Sequence, residues 1–279
     1  MTAIGLDVGT GFVKCVSDAK RIRFPSLYAY RLPHAWEKEQ RKVEGVGDAA
    51  AAMLHDPDTI SISPVMYGRP VNEEAFSKLV REAVTLTTDS RDALGENPPQ
   101  MAFAVGLPYE AKSSLGAIQK MITRLYKPIA CDVVPQALGT IVCQSMTDGI
   151  VVSIGRGTTE IVAFLGNEAK WGQSHHHAVG YISSKIGGEY SYLDDTIFAS
   201  GESAKLVSAL ADYIINRIQA SRQIFPSLQV IVSGNGILIP GMEQVIRSRI
   251  DDIIIPQDPV MSNAIGLYKI ASWYKDSRC

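Results

Sequence analysis

Apolar residues along the chain fall into short strand-length runs separated by stripes of helical period. The first run, IGLDVGTGFVKCVS at residues 4–17, is apolar up to Asp7, breaks at Gly9, Thr10 and Gly11, and turns apolar again at Phe12, Val13 and Val16. Glycines between two such runs predict a tight hairpin with exposed backbone N–H groups. A second run, GIVVSIGRGTTEIVAF at 149–164, repeats the pattern. Ser153 falls under Asp7, Gly155 under Gly9, Gly157 under Gly11 and Glu160 under Lys14, all at one offset. Two such hairpins half a chain apart predict two similarly built domains.

The remaining pattern alternates strands with helices. RIRFPSLYAYR at 21–31 reads as a strand near an edge or bend, because of Pro25. Residues 34–58 lack clear period until GDAAAAMLH, which predicts an irregular excursion with a short helix. Asn72, followed by Glu73 and Glu74, is a candidate cap for a helix with Phe76, Leu79, Val80 and Val84 on one stripe. PPQMAFAVGLP is a buried strand, SSLGAIQKMITRLY a helix, and ACDVVPQALGTIVCQS a strand, a proline break and a helix starting near Gln136. Residues 202–223 form the longest amphipathic helix, with Leu206, Leu210, Tyr213, Ile214 and Ile218 on one side. LQVIVSGNGILIPGM is a strand and a glycine loop, after which Pro240 opens a helix running through Val245 and Ile250. A closing helix in PVMSNAIGLYKIASWYK lies far enough downstream to return to the first domain. The alternation implies an α/β fold with mixed sheets. The stretch at about 183–201 leaves little room for an added subdomain in the second half.

Composition narrows the class. The chain has 279 residues, 46% hydrophobic and 20% charged, enough for one large or two modest cores. A net charge of −2 gives no electrostatic case for wrapping nucleic acid. No apolar run is long enough to span a membrane, and the first residues lack the basic and apolar regions of a signal peptide, so the expected home is the cytoplasm. Cys15, Cys131, Cys143 and Cys279 have no metal-like spacing and read as small hydrophobes with reduced thiols. The run HHHAVG at 175–180 is a weak zinc candidate, since adjacent histidines on an extended segment point to opposite faces.

Taken alone, the first hairpin reads as a solvated turn before it reads as a phosphate loop, because short glycine motifs match by chance. The echo favours the second reading, because two glycine turns facing one another form a clamp for a polyphosphate. A carboxylate at the end of an apolar strand then has a role: Asp7 would hold the accompanying divalent cation through water.

GLDVGTGFVK, VPQALG, VVSIGRGTTEI and IVSGNGILIPG follow one another in a fixed order. This arrangement resembles the actin, Hsp70 and sugar-kinase superfamily of ATPases, and within it the prokaryotic actins of plasmid segregation and the archaeal actin-like proteins. The resemblance runs from residue 4 to about 270 and implies two actin-like (ribonuclease H-like) domains around a nucleotide cleft. The first would comprise 1–148 plus 258–279, and the second 149–257 with a reduced subdomain. The implied ligands are ATP or ADP and Mg²⁺. Asp7 would orient magnesium-bound water. Gly9, Thr10, Gly11 and Phe12 would form the first phosphate turn, and Lys14 would reach the β-phosphate as a compact cation on a flexible stem. Gln136, after Pro135 as in relatives with a Pro–Glu pair, would position the attacking water; otherwise it is a polar residue at a helix start. Gly155, Arg156, Gly157, Thr158 and Thr159 would form the second turn. Gly234, Asn235 and Gly236 would lie under the adenine.

Two departures stand out. Most relatives carry an aspartate where this chain has Ser153, which offers a metal-bound water a hydrogen bond but no charge. Arg156 replaces a glycine or an acid and points either at phosphate or at solvent. The resemblance implies an ATP-hydrolysing protein that assembles into filaments with itself for plasmid segregation or cytoskeletal organisation, through an adaptor to DNA rather than by direct contact. A slow-turnover nucleotide scaffold is the alternative suggested by Ser153, and a small-molecule kinase is the third reading.

Overall fold

In the computed structural model, residues 1–34, 36–37, 41–66, 69–88, 100–186 and 201–276 are described. β1 (Thr2–Val8) and β2 (Phe12–Ser17) form the first hairpin, with Asp7 opposite Lys14 in the ladder. β3 (Arg21–Pro25) is the sheet edge, where the missing N–H of Pro25 costs no ladder bond. The stretch expected as one strand over 21–31 is therefore two. After Pro25 the chain leaves the sheet, and β4 (Tyr28–Arg31) pairs instead with β5 (Val43–Val46), which the polar sequence did not reveal. The expected short helix is α1 (Asp48–Met53), and β6 (Ile60–Ile62) completes a small sheet ordered β5-β4-β6. A short ribbon, β7 (Val65–Met66) with β8 (Arg69–Pro70), leads to α2 (Glu73–Thr88). Asn72 Oδ1 accepts from the Ala75 N–H at 2.9 Å, so the cap forms as the sequence indicates.

β9 (Met101–Leu107) is buried throughout and runs parallel to β1. A 3₁₀ turn (Tyr109–Ser114) precedes α3 (Leu115–Tyr126), β10 (Ala130–Pro135) and α4 (Gln136–Cys143). The first sheet is ordered β10-β9-β1-β2-β3, with the hairpin strand β1 in the middle. The second half repeats this plan. β11 (Gly149–Ile154) and β12 (Thr159–Leu165) form the echoed hairpin, and Ser153 faces Glu160 where Asp7 faces Lys14. β13 (Glu168–His175) extends it; its polar sequence concealed a strand. α5 (Val179–Ile186) follows, and the remainder of the segment at about 183–201, up to residue 200, lies outside the described residues, as does Cys279.

α6 (Gly201–Ile224) buries Val207, Leu210, Ala211, Ile214, Ile215 and Ile218, with Leu206 and Tyr213 on the margin of that face. β14 (Val230–Ser233) and a 3₁₀ turn (Asn235–Leu238) lead to α7 (Met242–Arg247). This helix is shorter than expected. Gly241 has φ 88°, a left-handed geometry that delays the start beyond Pro240, and the helix ends at Arg247 rather than at Ile250. β15 (Ile253–Ile254) closes the sheet order β13-β12-β11-β14-β15, again with the hairpin strand central.

α8 (Ser262–Asp276) does return to the first sheet, where Leu267, Ile270 and Ala271 pack on Ala3 and Ala104. Between it and the second sheet lies α4, whose Ala137 and Ile141 pack against Val151, Val162 and Phe164. The two helices cross backbone to backbone. A Cβ built on Gly266 would fall 1.7 Å from the carbonyl oxygen of Gly139, so neither position has room for a side chain.

Candidate functional site

The two hairpins close their turns alike: Gly9 N–H donates to Phe12 C=O at 3.1 Å, and Gly155 N–H to Thr158 C=O at 2.9 Å. The turns meet each other. A Cβ on Gly157 would lie 2.5 Å from Thr10 Oγ1, and one on Gly11 2.9 Å from Arg156 Cδ. Beside this contact opens a narrow cavity of about 60 Å³, lined by both turns.

Asp7, Gly9, Thr10, Gly11, Phe12 and Lys14 line the cavity from the first hairpin. Ser153, Gly155, Arg156, Gly157 and Thr158 line it from the second, joined by Gln136 at the start of α4 and by Gly234 and Asn235 after β14. Gly234 has φ 89°, and its N–H donates to Pro259 C=O at 2.8 Å, which holds that loop at the cavity wall. Two of the expected residues lie elsewhere. Thr159 Oγ1 donates to His177 C=O at 2.6 Å, and Gly236 packs against the Ile154 side chain. Pro108, Val179 and Asn263 line the cavity without having been singled out. Of the three histidines, His177 stacks on Tyr213 with ring centroids 4.5 Å apart, and His175 meets the same ring edge-on.

Asp7 is 1% exposed. Its Oδ2 lies 3.0 Å from Lys14 Nζ and 3.5 Å from Asn263 Nδ2, whereas its Oδ1 is buried with no hydrogen-bond partner among the described residues. An unsatisfied carboxylate oxygen at a cavity wall fits a water-bound cation. No group of three or more His, Cys, Asp or Glu is placed to hold a metal among the described residues.

Below Asp7 lies a buried polar knot. Thr140 Oγ1 donates to Asn263 Oδ1 at 2.6 Å and lies 3.0 Å from Ser262 Oγ and 3.4 Å from Ser233 Oγ. It ties α4, α8 and β14 together directly behind the cavity. Beside Gln136 sits Glu160, fully buried in β12. Its Oε1 accepts the Tyr109 backbone N–H, and its Oε2 has no hydrogen-bond partner among the described residues. Burial pushes its pKa up to about 7, opposed by the Tyr109 N–H and the neighbouring Gln136 amide and helped by Asp7 and Glu110.

No family model matches the chain, and no curated protein matches it in sequence. Solved structures do match in three dimensions. The MamK double helical filament superposes with a TM-score of 0.76 at 16% identity, covering 97% of this chain and 98% of that one. MreB 5 of Spiroplasma citri bound to AMPPNP superposes with a TM-score of 0.74 at 14% identity, covering 99% and 98%. A non-polymerising MamK mutant bound to AMPPNP gives 0.68 at 16% identity. The fold is thus the prokaryotic actin-like fold, over nearly the whole chain. No described helix is long and apolar enough to cross a membrane.

Proposed function

We propose that the chain is an actin-like nucleotide-binding protein that hydrolyses ATP and assembles with itself into nucleotide-dependent filaments. The observation that carries the reading is the meeting of two glycine turns over the unsatisfied Asp7 Oδ1. Under this reading residues 1–148 plus 258–279 and residues 149–257 are the two domains that close on the ligand. The AMPPNP-bound structures and the MamK filament support it by likeness of fold.

A bound Mg²⁺–ATP would supply the phosphoanhydride and part of the charge that offsets it. The N–H groups of the turns at Thr10, Gly11, Gly157 and Thr158 would hold phosphate oxygens, since such turns form anion nests. Asp7 Oδ1 would accept from a cation-bound water. Lys14, now paired with Asp7, would exchange part of that contact for a phosphate oxygen. Gln136 would orient the attacking water, and the carbonyl of its amide is the group able to accept a hydrogen from it. Gly234 and Asn235 would support the base.

The cellular role that accords with this is DNA segregation or cytoskeletal organisation in the cytoplasm. The −2 net charge favours an adaptor over direct DNA contact. Burial pushes the Cys15 and Cys131 thiols up to about 12, which keeps them protonated and inert in a reducing compartment.

Sedimentation after addition of Mg²⁺–ATP, with phosphate release followed in the same tube, tests the proposal. ATP-dependent pelleting with release supports it; neither signal overturns it. Ser153, buried on the cavity wall where a second carboxylate would serve, favours one further reading, a nucleotide scaffold with slow turnover. Pelleting without release would select that reading, and Ser153→Asp would then raise the rate across a magnesium titration. A kinase is disfavoured because Asp7 is the only acid among the described residues lining the cavity.

A further inference from the structure

The first sheet sets three charges in a row. Asp7 is paired with Lys14 across β1 and β2, and Lys14 with Arg23 across β2 and β3. Directly paired residues of an antiparallel ladder share a face, and Asp7 and Lys14 both line the cavity, so Arg23 stands on the cavity side of its strand. Asp7 matches Lys14 at 3.0 Å, whereas no ion pair joins Arg23 to an acid among the described residues. Like charges directly opposite one another weaken a sheet, so Arg23 at this register works against the stability of the hairpin.

The guanidinium is held over the cavity rim. Its Cζ lies 4.8 Å from the centre of the Phe12 ring, and Nη1 donates to Asn235 Oδ1 at 3.5 Å. Phe12 ends the first glycine turn and Asn235 belongs to the loop after β14, and both line the cavity from opposite sides. A ring face fixes the plane of the cation, while a long bond to an amide is readily exchanged for a shorter one to an anion. The charge balance points the same way. The ionised groups lining the cavity, Asp7, Lys14 and Arg156, leave one net positive charge, whereas a magnesium nucleoside triphosphate brings two negative ones. Arg23 is the cation at the rim that completes the match.

We propose that Arg23 binds the nucleotide phosphate next to the ribose, the group that would lie between the phosphate turn ending at Phe12 and the loop at Gly234 and Asn235 that would support the base. Resting on the nucleotide reading above, this role also accounts for the like-charge pair in the ladder: the repulsion between Lys14 and Arg23 is offset when an anion enters between them.

Arg23→Gln on the full chain is the test, because glutamine keeps a donor for Asn235 and loses the charge. Affinities for AMPPNP and for ADP, each with Mg²⁺ and read by titration calorimetry, should both fall about 10-fold, the worth of one charge-assisted hydrogen bond. The factor should be the same for the two ligands, since both carry that phosphate. Melted without nucleotide, Arg23→Gln should be as stable as the parent or more so, because a like-charge pair is gone; a residue kept for packing would melt lower when replaced. Arg23→Lys, which keeps the charge and gives up the planar fork, should bind with an affinity between those of the parent and Arg23→Gln. Affinities within about 2-fold of the parent's, a loss confined to AMPPNP, a lysine variant no better than glutamine, or a loss matched by a lower melting temperature each overturn the inference and leave the nucleotide reading standing. A parent that binds neither AMPPNP nor ADP overturns that reading and this inference with it.

Discussion

Lys14 Nζ sits 3.0 Å from Asp7 Oδ2, directly across the first hairpin, and the equivalent positions of the second hairpin hold Ser153 and Glu160. The charge pair therefore exists in one half only. Lys14 compensates one oxygen of a nearly inaccessible carboxylate and leaves the other for a ligand-borne cation. Asp7→Asn keeps an acceptor for Lys14 but weakens the hold on cation-bound water. It should lower magnesium-dependent phosphate release by about 10- to 100-fold, the usual cost of losing a group that orients a metal's ligands. Circular dichroism should show the parent fold, and unchanged release from a folded variant would remove Asp7 from the site.

The knot behind the cavity predicts a stability effect without change of shape. Thr140→Val conserves volume but leaves Asn263 Oδ1 buried without its 2.6 Å donor. The expected cost is about 1–3 kcal/mol, read as a lower urea midpoint at constant slope. A midpoint equal to the parent's would mean that water replaces the hydroxyl.

At the helix crossing, a methyl on Gly266 would meet a backbone oxygen at 1.7 Å, which no rotamer relieves. Gly266→Ala should force α8 off α4 and cost about 3 kcal/mol or more, at the upper end of overpacking. Calorimetry on the variant decides it, and a melting temperature within error of the parent's would show that the two helices yield at the crossing.

Much of this architecture could be read in the chain. The hairpins were legible because their strands are apolar and their glycine turns recur at one spacing, and the Asn72 cap because side-chain capping is local. What escaped was polar or distant. β5 and β13 carry Glu44, Glu168, Lys170 and Gln173, which mask alternation in edge strands. Asn263 reaches Asp7 from the far end of the sequence, a contact no local pattern encodes. Glu160 did leave a signal, a lone acid in TTEIVAF, but only the fold brings the Tyr109 N–H to it.

Glu44 gives a pH test away from the cleft. Lys42 Nζ at 2.8 Å, Lys78 and the Tyr28 hydroxyl hold its carboxyl down to about 2. A depressed carboxyl stabilises the fold above its unfolded value of 4.5 and loses that contribution as pH falls from there toward about 2. For a partly exposed network worth about 1 kcal/mol, Glu44→Gln should melt about 2–4 °C below the parent at pH 7. At pH 2 the gap should close; a gap independent of pH would mean the loss is one of packing.

The crossing of Gly139 and Gly266 also limits how the molecule can move. The chain passes from the first sheet to the second after α4 and back before α8, so both passages leave from helices that touch through bare backbone. Sliding one helix along the other would break the Thr140–Asn263 bond and carry a side chain into the glycine contact. Rotation about the point of contact would not. A joint of this kind would turn as an axle rather than a slide, and a small twist there would part or close the two glycine turns where Thr10 and Gly157 now touch.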